Sequence, residues 1–463
     1  MAIERAARRQ VTLPTSTKAS ETTSTAEVRP TTTPVAKAKS GIADAVAAPV
    51  IARPAARSQQ VGGAAASSVS GDWLGGGQSG REMMTAALAR HGLTGTSDAP
   101  PPAGANIHRA KLGTSALISP ATSQLDPRAS AADNIAKLKA EGIPRFPGLS
   151  AAERAHETAF ASEVEADPQH FIEGAMILAR NDKLDTSIFE VDAMKRQYGP
   201  YGQGAKPENA DERALRGTMN HALHPTAVTV ARLAFLAKLD ELGKLPEGDP
   251  KRQVFVTNGG CAAGKGSLTD VVKQQLGDIP FGAVWDAAGE GDALENAWIL
   301  EACQARGLKT VFGFVENNPM IKYQDVIARG DLTGRIVDVA TFTNSYVEGA
   351  KNMRAFLESP AYLKAQADGT TRTFGVYTGR FDQASLDDST KPPYPDLHLL
   401  GDGGVISAKD VPRPPSKTAV LAECIATTER ALTDKRTKGE PTDVLLQGAL
   451  QSAQKFIASW EDA

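Results

Sequence analysis

The sequence predicts an α/β fold, a parallel sheet flanked by helices, preceded by a helical N-terminal block and, before that, a disordered leader. Three observations carry this. From Gln253 onward, short apolar runs alternate with stretches of helical spacing, and strands separated by helices pair in parallel. One of those runs, Val254-Phe255-Val256, leads into Gly259–Ser267, GGCAAGKGS, and then into a helical stretch from Leu268 to Leu276. Residues 1 to 128 are mostly Ala, Ser, Thr, Pro and Gly with few large apolar side chains. Such a segment buries too little surface to offset its ordering entropy.

Taken in order, the leader leans basic over its first sixty residues, through Arg5, Arg8, Arg9, Lys18, Arg29, Lys37, Lys39, Arg53 and Arg57. One island, Gly80 to His91, has helical character. Composition leaves two readings open, a plain linker or a non-cleaved secretion or targeting signal. Ordered structure is expected from about Ser130. Residues 129–250 read as a helical block packed on the core, with helices at Ala131–Glu141, Ala151–Glu165 (stopped by Asp167-Pro168), His170–Arg180, Asp211–Asn220 and Thr226–Leu242. The last has Pro225 as its start signal and Val230, Leu233, Ala234 and Ala237 along one face.

Residues 251–463 read as the core, with a lid and C-terminal helices. Strands are expected at Val254–Thr257, Phe281–Trp285 (ending in Asp286), Lys309–Val315 and Thr373–Thr378. Arg335–Val339 is short and β-like, or a lid element. Helices are expected at Asp292–Arg306, Asn344–Leu357, Lys417–Thr433 and Pro441–Trp460, and Lys391–Pro415 reads as an irregular crossing rich in Pro and Gly.

The 463 residues, 41% hydrophobic, are enough for two or three domains. A net charge of −3 points to neither nucleic acid nor membrane as a partner, and no basic stripe is interleaved with aromatics. No apolar run has the length of a transmembrane helix, and the N-terminus has no apolar core of a cleaved signal peptide. Cys261, Cys303 and Cys424 are widely spaced and form neither a metal pattern nor a disulfide framework, which fits a reducing cytosol. Cys261 reads as a small residue tolerated in a tight turn, or as an oxidisable one.

The glycine-rich stretch carries the chemistry. Glycines allow backbone turns closed to other residues, so that consecutive N–H groups point at phosphate oxygens, and the following helix adds its positive end. Gly259, Gly260, Cys261, Ala262, Ala263, Gly264, Lys265, Gly266, Ser267 and Leu268 form the expected nucleotide-binding set. Lys265 reaches the β- and γ-phosphates and Ser267 places its hydroxyl on Mg²⁺; the bland alternative is a chance match in a glycine-rich loop. Asp286, at a strand's C-terminal end where α/β sheets bind ligands, is placed to orient an acceptor hydroxyl and take its proton. A Mg²⁺-water ligand and a plain turn residue are the alternatives. Asp292 and Glu295 read as helix caps. Arg329 and Arg335, in ARGDLTGRIVD, and Arg380, in YTGRFD, are candidates for steadying a migrating phosphoryl group, against a default of solvated surface cations. Lys351 and Arg354 lie on the next helix. The turn Glu316-Asn317-Asn318-Pro319 lies at the same edge and is a candidate for substrate contact.

The GKGS ending resembles small-substrate kinases of the adenylate-kinase sort. With VWDAAGE, VFGFVENNP and an arginine-bearing lid, the arrangement resembles the zeta-toxin-like P-loop kinases, most closely the type III effector NAD 3′-kinases of plant-pathogenic bacteria. The resemblance covers roughly Ser130 to the C-terminus. It implies a P-loop kinase fold, ATP and Mg²⁺ as cofactors held through Lys265 and Ser267, Asp286 as base, and phosphorylation of NAD on the adenosine ribose 3′-hydroxyl. It further implies a leader serving as a type III secretion signal, passage from the bacterial cytoplasm into that of the host cell, and a small antitoxin-like chaperone as partner. Gly266 departs from the zeta toxins proper, which have Ser or Thr directly after the lysine. A UDP-N-acetylglucosamine kinase and a non-catalytic nucleotide-binding effector acting on a host protein are the rival readings.

Overall fold

The computed structural model describes residues 125–145, 149–181, 185–202, 215–216, 219–220, 222–265, 268, 281–286, 293–333, 337, 339–379, 397–413, 416–439, 446–450 and 453. Contacts divide the chain into Met1–Ser68 and Val69–Ala463, and every described residue belongs to the second unit.

The block opens with three capped helices. Helix α1 (Ala131–Glu141) starts at Ser130, whose side chain accepts from Asp133 N, and ends at Gly142 with φ 75°. Helix α2 (Ala151–Ala166) is opened by a capping box between Ser150 and Glu153. Asp167 then caps α3 (Pro168–Ala179), whose first position is the proline. Two short strands follow, β1 (Arg180–Asn181) and β2 (Thr186–Glu190), then the single turn α4 (Val191–Met194). The twenty-residue α5 (His224–Gly243) is buried along nearly its whole first two-thirds, as a helix apolar on all sides must be.

The core follows with β3 (Gln253–Gly259), β4 (Ala283–Asp286), α6 (Ala293–Gln304), β5 (Lys309–Glu316), α7 (Pro319–Thr333), α8 (Val339–Glu358), α9 (Pro360–Ala367), β6 (Thr371–Tyr377), β7 (His398–Leu399) and α10 (Lys417–Thr437). The seven strands form one sheet in the order β1-β2-β4-β3-β5-β6-β7. The five central strands are parallel, and β1 and β7 pair antiparallel at the two edges. Alternation along the strands splits the apolar side chains between two cores. Val254, Val256, Trp285, Phe312 and Phe314 join the helices of the block and α6 on one face. Phe255, Val284, Val311, Val315 and Val376 meet residues of α7, α8 and α10 on the other. Such burial on both faces is what a parallel sheet requires.

The structure departs from the sequence reading in several places. The block is not helical throughout: β2 pairs in parallel with β4, so the block supplies part of the sheet. Folded structure starts before Ser130. Leu125 is buried, Trp298 Nε1 donates to Leu125 O at 3.1 Å, and Arg306 donates to Pro127 O and Ala129 O at 2.7 Å each. Arg180 starts β1 rather than ending a helix. Val339 opens α8 instead of closing a strand, and α7 and α9 went unread. Of the helices expected at Leu268–Leu276, Asp211–Asn220 and Pro441–Trp460, the described residues (268; 215–216 and 219–220; 446–450 and 453) are helical. Apart from 125–128, the leader lies outside the described residues. Among the described residues no helix is long and apolar enough to cross a membrane.

Candidate functional site

The chain passes from β3 to β4 on one side, crosses back to β5 on the other, and moves outward to β6. Strands β3 and β5 therefore lie side by side with outgoing connections that run in opposite directions. Such a switch point opens a crevice beyond the C-terminal ends of the strands. The glycine-rich loop leaves β3 there, and the Glu316-Asn317 turn leaves β5.

The loop is built for close approach. Gly259 has φ 148°, and a Cβ there would lie 2.6 Å from Val315 O. Gly264 has φ 93°, and Ala262, without that freedom, is held at φ 60°. Ala263 N closes a turn onto Gly260 O at 3.1 Å. The surroundings grip the loop by its carbonyls. Tyr346 OH donates to Cys261 O at 2.9 Å, and Thr378 Oγ1 to Ala263 O at 2.6 Å. Asn317 Nδ2 reaches Ala263 O at 3.4 Å and Gly379 O at 2.8 Å, and also donates to Thr378 Oγ1. Because a trans peptide sets its N–H opposite its carbonyl, tying back Cys261 O and Ala263 O turns the N–H groups of Ala262 and Gly264 the other way. Cys261 N itself donates to Ser345 Oγ at 3.1 Å.

Lys265, half-buried, starts the following helix, and Leu268 is buried in the core beneath it. Gly266 and Ser267 lie outside the described residues. Asp286, half-buried at the end of β4, accepts from Thr257 Oγ1 at 2.6 Å. The register sets Thr257 and Glu190 on its two sides. Glu316 is the most perturbed carboxyl of the crevice: burial raises it from 4.5 to about 7, against a smaller opposing pull from the Asn317 backbone N–H.

Arg329 belongs to helix α7, and Arg335 and Arg380 lie outside the described residues. Arg354 is a structural clamp, donating to Val411 O at 2.7 Å and Ala408 O at 3.3 Å. Lys351 pairs with Glu348 at 3.3 Å. The three cysteines are free thiols. Burial pushes Cys303 up to about 12 and Cys424 well above its usual value, which makes both inert. Among the described residues no group of three or more His, Cys, Asp or Glu is placed to hold a metal. The loop's clamps, Ser345, Tyr346 and Thr378, were missed in the sequence, where nothing distinguishes them from ordinary helix and strand residues.

The fold and the site define an α/β protein whose mostly parallel sheet carries a glycine-rich loop and a strand-end aspartate at the C-terminal ends of its strands. No known protein-family model matches the chain, and no curated protein matches it.

Proposed function

We propose that the chain is an ATP-dependent small-molecule kinase whose acceptor is NAD, phosphorylated on the adenosine ribose 3′-hydroxyl. The observation that carries the kinase reading is the glycine-rich loop at the switch point, tied back by Cys261 O and Ala263 O, with Lys265 directly after it. Its glycines and backward-held carbonyls suit a phosphate chain, and Lys265 would neutralise the β- and γ-phosphates. Ser267 is the residue that would hold Mg²⁺ together with the phosphates. That donor set suits the ion, because nucleotide-bound Mg²⁺ keeps most of its ligands as water and phosphate. When bound, it supplies charge neutralisation.

Asp286 would accept the acceptor hydroxyl's proton as the new O–P bond forms and the bond from the γ-phosphorus to the β–γ bridging oxygen breaks, with ADP as the leaving group. Thr257 fixes the carboxylate through Oδ1, so the proton goes to an oriented group. NAD, the secretion signal in the leader, the route into a host cell and the antitoxin-like chaperone rest on the resemblance to zeta-toxin-like effectors.

The test is to incubate the full chain with Mg²⁺-ATP and NAD, NADP or UDP-N-acetylglucosamine, and to look by mass spectrometry for one added phosphate. A gain on NAD that Asp286→Asn abolishes supports the proposal. A gain on the UDP sugar moves the chain to the rival acceptor. ATP binding without any phosphorylated product overturns the kinase reading in favour of a non-catalytic effector.

A further inference from the structure

The two strands beside the switch point end in polar groups that the protein leaves unsatisfied. Asn258, the last residue before the loop's first glycine, is 2% exposed, and neither its amide nitrogen nor its amide oxygen has a hydrogen-bond partner. Asn317, 1% exposed, uses its amide nitrogen to hold the loop, while its Oδ1 accepts nothing. Glu316 ends β5 directly before Asn317. Asn258 stands in register with Phe314, so alternation makes Asn258 and Glu316 diagonal neighbours on one sheet face. Thr257 and Asp286 point to the other face. Buried polar atoms in folded proteins are nearly always partnered, and here two amide groups with unpartnered atoms stand at the ends of adjacent parallel strands.

We propose that Asn258 and Glu316, on the sheet face opposite Asp286, together with Asn317 at the end of β5, form a second polar contact set for the nucleotide held by the loop. The inference rests on the nucleotide-binding reading and extends it to residues outside the loop. Asn258 supplies both a donor and an acceptor, and Asn317 Oδ1 an acceptor. Glu316 enters as the neutral acid. Among the described residues, Tyr346 of α8 interacts with its charge and Tyr377 on β6 is its register partner, and neither is a cation. A phosphate chain beside it favours the protonated form further, so that nucleotide binding takes up a proton and weakens as pH rises through neutrality.

The full chain is titrated by calorimetry with Mg²⁺ and the non-transferable analogue AMP-PNP. Asn258→Leu keeps the side-chain volume and removes the unpartnered amide, which is neutral or stabilising for an orphaned group. The expected result is an unchanged or raised Tm with affinity weakened about tenfold. The native chain is expected to lose about tenfold in affinity between pH 6 and pH 8, and Glu316→Gln to bind with no such slope. Native affinity in Asn258→Leu overturns the proposal, and so does a slope that survives in Glu316→Gln. A lowered Tm in Asn258→Leu with affinity kept shows the amide to be structural, which also overturns it. If the native chain fails to bind the analogue, the nucleotide reading falls and takes this proposal with it. If the native chain binds and Lys265→Ala weakens binding, undisturbed affinity in Asn258→Leu defeats this proposal alone.

Discussion

Replacing Glu316 by glutamine is expected to stabilise the protein at alkaline pH and not at acid pH. Burial raises the native carboxyl from 4.5 to about 7. Between those values the native state holds a proton that the unfolded chain has released, so stability falls as pH rises from about 4.5 through about 7 and is level above. The whole effect is roughly 3 kcal/mol. A glutamine side chain never ionises, so the Glu316→Gln variant escapes this loss. At pH 5 the variant should therefore exceed the native protein by less than about 1 kcal/mol, and at pH 8 by about 3 kcal/mol. Urea unfolding of both proteins at the two pH values, followed through the fluorescence of buried Trp285 and Trp298, measures the difference. An equal difference at pH 5 and pH 8 refutes the account, because a pure packing change has no pH dependence.

Three other outcomes are expected. Asp286→Asn should abolish phosphoryl transfer while ATP still binds, as read by mass spectrometry and calorimetry on the same preparation; loss of ATP binding would sink the base assignment. Gly260→Ala would set a Cβ 2.5 Å from the Tyr346 ring. It should distort the loop and cost at least about tenfold in nucleotide affinity, and an unchanged Kd would show that α8 yields freely. A chain starting at Ser130 rather than Leu125 loses Pro127 O and Ala129 O as partners of Arg306, a guanidinium with 8% side-chain exposure. Bonds to a charged group of this kind contribute about 1.5–3 kcal/mol, so the shorter chain should unfold at clearly lower urea concentration; coincident curves would count against the contact.

The elements that sequence made legible are those with local signals. Ser130 and Gly142 bracket α1, Asp167-Pro168 separates α2 from α3, and the three apolar runs that became β3, β4 and β5 were each found within two residues. Strand β2 was missed because TSIFE is short and lies close behind a helix, and its place beside β4 is a long-range fact. Helix α7 was missed because Gly330 and the charges around it read as a lid. Residues 125–129 lack helical or strand pattern altogether and are held by side chains far along the chain, Trp298 and Arg306. The same division applies to the site. The glycines, Lys265 and Asp286 announce themselves by spacing. Thr257, Asn258 and Tyr346 do not, since an amide, a hydroxyl or a phenol in an apolar run looks like ordinary core until its partner, or the lack of one, is seen.

The place of β2 changes what the N-terminal block is for. Without it β4 would be an edge strand, with unpaired backbone groups along the side that carries Asp286. With it, Asp286 lies between Glu190 and Thr257 in a ladder closed on both sides. Beyond Glu190 the chain folds back through α4, directly after which Lys195, fully buried, donates to Asp192 at 2.7 Å and Asn220 at 2.9 Å. On the neighbouring helix pair, Arg232 of α5 faces Glu295 of α6 at 3.4 Å and lies over the Trp298 ring. Removing one partner from such a buried pair leaves an uncompensated charge, a far larger loss than that of a surface contact. The block is thus joined to the core by backbone pairing, by a shared apolar core and by the ion pair of Arg232 with Glu295. Its strand β2 forms the wall beside Asp286. On the kinase reading proposed above, phosphate binding falls to the loop and the block walls the side of β4 from which an acceptor would reach Asp286.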